Sequence, residues 1–474
     1  MQQVPFIETI IKKCLLWIAT WNRNRRKSVE KNIYLTGIYK PLKQEVTFER
    51  LQVTGSIPDE LNGLFVRNGP NPVTPPNPAL YQWFTGTGMV HGVRIRAGQA
   101  LWYRNRWVRG VETSKALGES PIPGPHTDMD SPNTNVLGYA GNLWALVEAG
   151  GNPVRLDEKL NSIAHDPFSG SLTKSFTAHP HVDPSTGELH AICYESHEQK
   201  TVWHVVVTKE GLVRREEPIS VNNGPMIHDC MLTEHFVIIL DLPVTFSMKR
   251  LLAGDELPYA WNPKHPARIG LLPKEGTNAD IIWCQVSPCF VFHCCNAYQT
   301  EDQLVVLDAC VHNHMFATRT DGPDATQTQL ERWTINPQTG LVARAVLDET
   351  PQEFPRINEQ YLGKQYRYIY TVPYPKGSIA AGPLPYLIKQ DVQQGVTKTH
   401  PFKEGDVPGE FVFVPKKLSR NEEDGWLMGY VLNTRQNTTQ LVIIDATHFT
   451  DQAQAIITIP HQIPLGFHGN WVTL

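Results

Sequence analysis

The chain has 474 residues, with 43 Lys+Arg against 47 Asp+Glu and a formal net charge of −4. Neither sign dominates, so the charge balance gives no reason to expect a nucleic-acid partner. With 41% hydrophobic and 19% charged residues the chain is not disordered, and its length allows either a few ordinary domains or one large all-β unit.

Residues 1–30 form an amphipathic, basic amino-terminal segment. Ile7, Ile10, Ile11, Cys14, Ile18 and Trp21 recur at helical spacing, and Arg23, Arg25, Arg26 and Lys27 follow. Lys12 and Lys13 split the apolar stretch, which argues against a secretory signal, and no run reaches the roughly 18–20 apolar residues of a membrane span. Two readings fit: a helix lying in a membrane interface, or one packing on its own domain. The first would place the protein peripherally on a membrane.

From about residue 45 the sequence breaks into short β-type runs, among them 143–147, 202–207, 236–240, 304–307, 366–372, 411–414 and 441–444. Turn signals lie between them, such as Asn62-Gly63, Asp321-Gly322 and Asp424-Gly425. Many short strands without alternating helices mean a sandwich, a barrel or a propeller, and the size of 31–474 as a single unit favours a propeller. No repeat word of the WD type supports that reading.

The eight cysteines show no spaced disulfide framework, which suits a reducing, cytoplasmic setting. Cys284, Cys289, Cys294 and Cys295 crowd around His293, but without a C-x-x-C pair they read as small apolar fillers, with zinc binding the alternative.

Four of the eighteen histidines, His179, His228, His293 and His468, follow β-type or turn segments among small or apolar neighbours. In a seven-bladed propeller each blade would take about 68 residues, so one histidine per blade could meet on the axis. Imidazole suits Fe, Zn, Cu or Ni without choosing among them, and hydrogen-bonded core histidines are the other reading. Glu148, Glu353 and Glu410 sit in apolar runs, where a carboxylate needs a partner: a ligating imidazole or a basic side chain.

Several motifs, in order, resemble the carotenoid cleavage oxygenases of bacterial type. They include Arg67-Asn68-Gly69-Pro70-Asn71-Pro72, Ala178-His179-Pro180, Ile227-His228-Asp229, Phe292-His293 with Asn296-Ala297-Tyr298, Glu353-Phe354-Pro355-Arg356, Gly409-Glu410 and Gly466-Phe467-His468-Gly469. The resemblance implies an all-β, seven-bladed β-propeller with a loop-and-helix dome over an axial Fe(II). It also implies that His179, His228, His293 and His468 bind the iron, with Glu148, Glu353 and Glu410 hydrogen-bonded to three of them. The implied reaction is O2-dependent scission of a C=C bond in a carotenoid or apocarotenoid. Where the family reads Phe-Asp-Gly-Asp-Gly-Met, this chain has Thr85 and Thr87, and Gln299 replaces a common Glu. These departures raise the alternative of a catalytically weak polyene-binding protein. The stilbene-cleaving branch uses a Tyr and a Lys near the metal. Their counterparts here are Trp107 and Val147, which favour a polyene over a hydroxystilbene. Leu251 and Leu252, with the amino-terminal helix, are expected to form an apolar rim for a membrane-dissolved substrate.

Overall fold

The computed structural model describes residues 4–26, 31–196, 198–419 and 421–474, with the backbone alone for 4–13. Seven antiparallel sheets of four or five strands make seven blades, and a two-stranded ribbon pairs Val244–Phe246 with Tyr259–Trp261. The chain is a seven-bladed β-propeller. The innermost strands are Asn135–Tyr139, His181–Val182, Cys230–Leu232, Phe290–Gln299, Gln352–Arg356, Asp406–Pro415 and Gly469–Thr473. Around most of the ring each touches the innermost strand of the next blade.

Two blades join the ends of the chain. Gly469–Thr473 pairs with Gly63–Pro70, placing Gly469 opposite Arg67, and Gln52–Gly55 pairs with Ala455–Ile459. Strands close to the axis are covered on both faces, so they read as nearly continuous apolar runs. Val305–His312 is buried throughout and Phe290–Gln299 nearly so. Outermost strands such as Val396–Pro401 are mostly exposed and carry Lys398, the usual protection of a free sheet edge.

Over one end of the axis lie the short turns Ile33–Leu35, Gly37–Tyr39, Trp83–Thr85 and Ile379–Ala381. They share a small core of Tyr34, Tyr39, Trp83, Ala380, Leu465 and Phe467, in which Tyr34 stacks on Trp83 at 5.1 Å.

The amino-terminal helix spans Val4–Asn24. The side chains of Ile7, Ile10 and Ile11, and Lys27 as a whole, lie outside the described residues. The far end of the helix is fastened to the short helix Met248–Ala253 and the turn after it. The Asn22 amide donates to the Leu252 carbonyl at 2.7 Å, while Arg23 pairs with Glu256 and Arg26 with Asp255. Leu16, Trp17, Ile18 and Trp21 remain exposed, Trp17 to 68%. Among the described residues no helix is long and apolar enough to cross a membrane.

Candidate metal centre and its cavity

His179 and His228 each stand two residues before the first strand of their blade, His293 lies within Phe290–Gln299, and His468 immediately precedes Gly469–Thr473. Four blades thus deliver four imidazoles to the axis. Each ring offers a nitrogen within 4.8 Å of the other three, and the His293 and His468 Nε2 atoms are 3.1 Å apart. The remaining three blades supply the glutamates: Glu353 and Glu410 from innermost strands, and Glu148 from just beyond Asn142–Leu146.

The glutamates lie behind the imidazoles. Glu148 meets His228 Nδ1 at 2.9 and 3.0 Å, Glu353 meets His293 Nδ1 at 2.6 Å, and Glu410 meets His468 Nδ1 at 2.9 Å. A carboxylate only accepts, so Nδ1 carries the hydrogen on each of these rings, leaving the Nε2 lone pair facing the axis. Nε2 of buried His179 has no hydrogen-bond partner. Lone pairs gathered this closely, without donors between them, suit a cation. Glu410 is already paired with Arg356 at 2.9 Å, so the two carboxylates left over match a divalent charge.

Electrostatics agree with this tautomer assignment. Burial pushes His468 down to about 4, against the pull of Glu410, and burial with three neighbouring imidazoles holds His179 well below its usual range. His228 is the exception: burial lowers it, but Glu148, Asp229 and Glu353 together raise it. Burial would raise Glu353 and Glu410, yet His293 and His312 hold the first, and Arg356 and His468 the second, well below the usual carboxylate range.

Local irregularities aim these side chains. The ladder register shifts between Val291 and Cys294, between Glu353 and Arg356, and between Pro408 and Phe411. These are β-bulges, which turn a side chain out of the regular alternation. Phe354 sits in the left-handed region at φ +54° and stacks on His293 at 5.4 Å, an arrangement costing about 1–3 kcal/mol that the surrounding blades must hold. The Arg67–Pro72 motif supports His468 from behind. Asn68 N donates to His468 O at 2.9 Å, Phe467 N donates to Asn68 O at 3.0 Å, and Arg67 donates to Pro464 O at 2.8 Å. Gly69 and Gly466 allow this approach, since a Cβ on Gly69 would lie 2.7 Å from the Gly466 Cα.

Above the imidazoles opens a cavity enclosing about 1030 Å³, counted out to its open part. Its walls are mainly apolar, with the aromatic rings of Trp83, Phe84, Phe292, Phe354, Tyr374 and Phe467 prominent, and no lysine or arginine lines it. Val147 lines this cavity beside Glu148. Trp107 does not, which corrects its placement in the substrate pocket: it ends Gln99–Trp107 inside its own blade, and its indole N–H donates to the Asn71 carbonyl at 2.7 Å. Leu251 and Leu252 are half-buried and likewise absent from the wall, which takes Leu257 instead. Cys284, Cys289, Cys294 and Cys295 are buried thiols whose pKa burial raises, and none joins a metal-ligating group among the described residues.

A profile of the RPE65 family, described as retinal pigment epithelial membrane protein, matches residues 39–473. The carotenoid cleavage oxygenase of Mycobacterium tuberculosis is 40% identical over 490 aligned residues, covering 93% of this chain and 97% of that protein. The chain belongs to the carotenoid cleavage oxygenase family. Membership makes it an oxygen-incorporating cleavage enzyme. The cobalt-substituted Synechocystis apocarotenoid oxygenase superposes with a TM-score of 0.81 at 28% identity, over 92% of this chain and 97% of that one. The lignostilbene dioxygenase of Pseudomonas brassicacearum, at 24% identity and a TM-score of 0.84 over 95% and 100%, shares the fold.

For a carotenoid cleavage oxygenase the departures at Thr85, Thr87 and Gln299 have local explanations. The Thr85 hydroxyl donates to Glu256 at 2.7 Å, where an aspartate would face another carboxylate. Thr87 donates to the Asn71 carbonyl and accepts from Val73 N, a pairing that an ionised aspartate cannot make. Gln299 accepts from Thr233 and His235 N, away from the imidazoles. Sequence reasoning missed two partners: His312, which meets the second oxygen of Glu353 at 2.5 Å, and Arg356 on Glu410. Arg356 does stand three residues after Glu353 in the same motif, a signal that could have identified it.

Proposed function

We propose that this oxygenase is a non-haem Fe(II)-dependent dioxygenase that splits one C=C bond of a carotenoid or apocarotenoid with O2 into two carbonyl products. The observation that carries the reading is the convergence of four inward-facing imidazole nitrogens at the base of an aromatic, cation-free cavity. His179, His228, His293 and His468 would hold the iron, which when bound supplies the means of activating dioxygen. The glutamates keep three of the rings in the ligating tautomer and orientation. The aromatic walls offer a flat, apolar surface to a conjugated chain and keep water from it. Each glutamate in the wall is occupied by a histidine, so none is free to act as general base.

Purified protein loaded with Fe(II), given an apocarotenoid under O2, is expected to yield aldehydes identifiable by mass spectrometry. A hydroxystilbene is expected to react poorly, because the cavity offers its phenolate no cation. Tight polyene binding without aldehyde would favour the binding-protein reading, and faster stilbene cleavage would favour a stilbene-cleaving dioxygenase.

Exposed Leu16, Trp17, Ile18 and Trp21 favour a peripheral membrane position for this cytoplasmic enzyme, with Arg25 lying over the Trp21 ring at 4.3 Å. The helix is fastened close to Leu257, on the cavity wall, which suits uptake of a membrane-dissolved substrate. The double variant Trp17→Glu, Trp21→Glu should lose flotation with anionic liposomes while keeping its soluble-substrate activity. Undiminished flotation would count against an interfacial helix.

A further inference from the structure

A second group of lone pairs converges apart from the four axial imidazoles, on His126, Asp130 and His165, each offering a ligand atom within 4.8 Å of the others. His165 ends the outermost strand Ser162–His165, and segment 118–134 crosses it closely. His165 N donates to the Pro123 carbonyl at 2.9 Å, and a Cβ on Gly124 would lie 1.9 Å from the His165 carbonyl oxygen, so only glycine permits the crossing. The two imidazoles lie 4.3 Å apart.

A backbone carbonyl faces Nε2 of each ring. His165 Nε2 lies 3.0 Å from the Arg109 carbonyl, and His126 Nε2 lies 3.0 Å from the Ile122 carbonyl. Carbonyls only accept, so His165 Nε2 carries hydrogen and its neutral ring keeps a lone pair on Nδ1, while His126 stands between two acceptors, the Ile122 carbonyl and Asp130. His165 is 2% exposed, and its Nδ1 has no hydrogen-bond partner. His126 Nδ1 faces Asp130 Oδ2 at 3.1 Å, so a neutral His126 ring can donate to only one of its two acceptors, while Asp130 is held in place by Val111 N at 2.8 Å. A proton on His126 would repair that pair and leave the buried His165 nitrogen unsatisfied. A single cation satisfies all three.

We propose that His126, Asp130 and His165 form a second metal site, for a borderline divalent cation such as Zn2+, with solvent completing the coordination beside exposed His126. Two imidazoles and a carboxylate, with the second ring nitrogens anchored on carbonyls, are the donor set such ions take. Met129, next to Asp130, lines the axial cavity, so occupation would pin segment 118–134 and stiffen that wall.

The test uses the full-length, iron-loaded protein titrated with Zn2+ by calorimetry, with metal content measured by mass spectrometry. One Zn2+ per chain should bind without loss of iron, and amide exchange across 118–134 should slow. His126→Ala, at an exposed position, and Asp130→Asn should each weaken Zn2+ binding by ~10-fold or more and abolish the slowed exchange. Zn2+ uptake that merely displaces iron, or equal affinity in wild type and both variants, would overturn the proposal. Iron content in the same samples reports on the axial site separately, so the two readings fail independently.

Discussion

Replacing His228 with alanine is expected to strip the metal and end alkene cleavage together. The substitution removes one of four donors, a loss larger than the ~10–100-fold that removing a carboxylate behind a ligand costs at metal sites. It also leaves Glu148, which meets His228 through both oxygens, without its hydrogen-bond donor in an apolar wall beside Tyr194. A carboxylate deprived of that partner in an apolar wall is costly. Glu148→Gln separates the two effects, because it keeps all four imidazoles and should retain metal at reduced affinity. Iron per chain and aldehyde yield, measured on the same preparations, check both variants. A His228→Ala protein with full iron and wild-type turnover would remove that imidazole from the metal site.

The propeller was legible because buried blades write themselves as short apolar runs with turn residues between them, and because a single sandwich or barrel of this length would be oversized. The four histidines stood out because each follows a β-type or turn segment among small or apolar neighbours, but those residues alone left hydrogen-bonded core histidines open, and the motif resemblance chose the ligand reading. Trp107 was misplaced because sequence neighbours do not say which end of a strand faces the axis. Its strand runs inside the first blade, and the indole is spent on the Asn71 carbonyl. The bulges at His293, Phe354 and Glu410 were invisible, since register is a property of two strands and the partner cannot be read from one. Distance in the chain hid the rest. His312 lies 41 residues before Glu353, and the amino-terminal helix is tied down by residues some 230 positions later.

Glu353→Gln should weaken metal binding by ~10–100-fold while leaving the fold intact. Glu353 accepts from two imidazoles at once, His293 Nδ1 at 2.6 Å and His312 Nε2 at 2.5 Å, and His312 Nδ1 accepts in turn from the Thr328 hydroxyl at 2.9 Å. This chain of hydrogen bonds is fully satisfied only if the carboxylate is ionised, which its depressed pKa supports. Glutamine has the same shape but one oxygen and one NH2. With the NH2 toward His312, that ring shifts its hydrogen to Nδ1 and donates to Thr328, so His293 keeps its inward lone pair but loses the negative charge behind it. With the NH2 toward His293, the hydrogen moves to Nε2 and the ring can no longer ligate. Both orientations lower affinity, the second more severely; it also costs Phe354 N its acceptor, so the first is favoured, and the first leaves no buried polar atom unpaired. The variant should therefore melt close to the wild-type temperature when metal-free, and excess Fe(II) should restore part of its activity. Metal affinity equal to wild type in a chelator competition would mean that Glu353 supports the strand and not the metal.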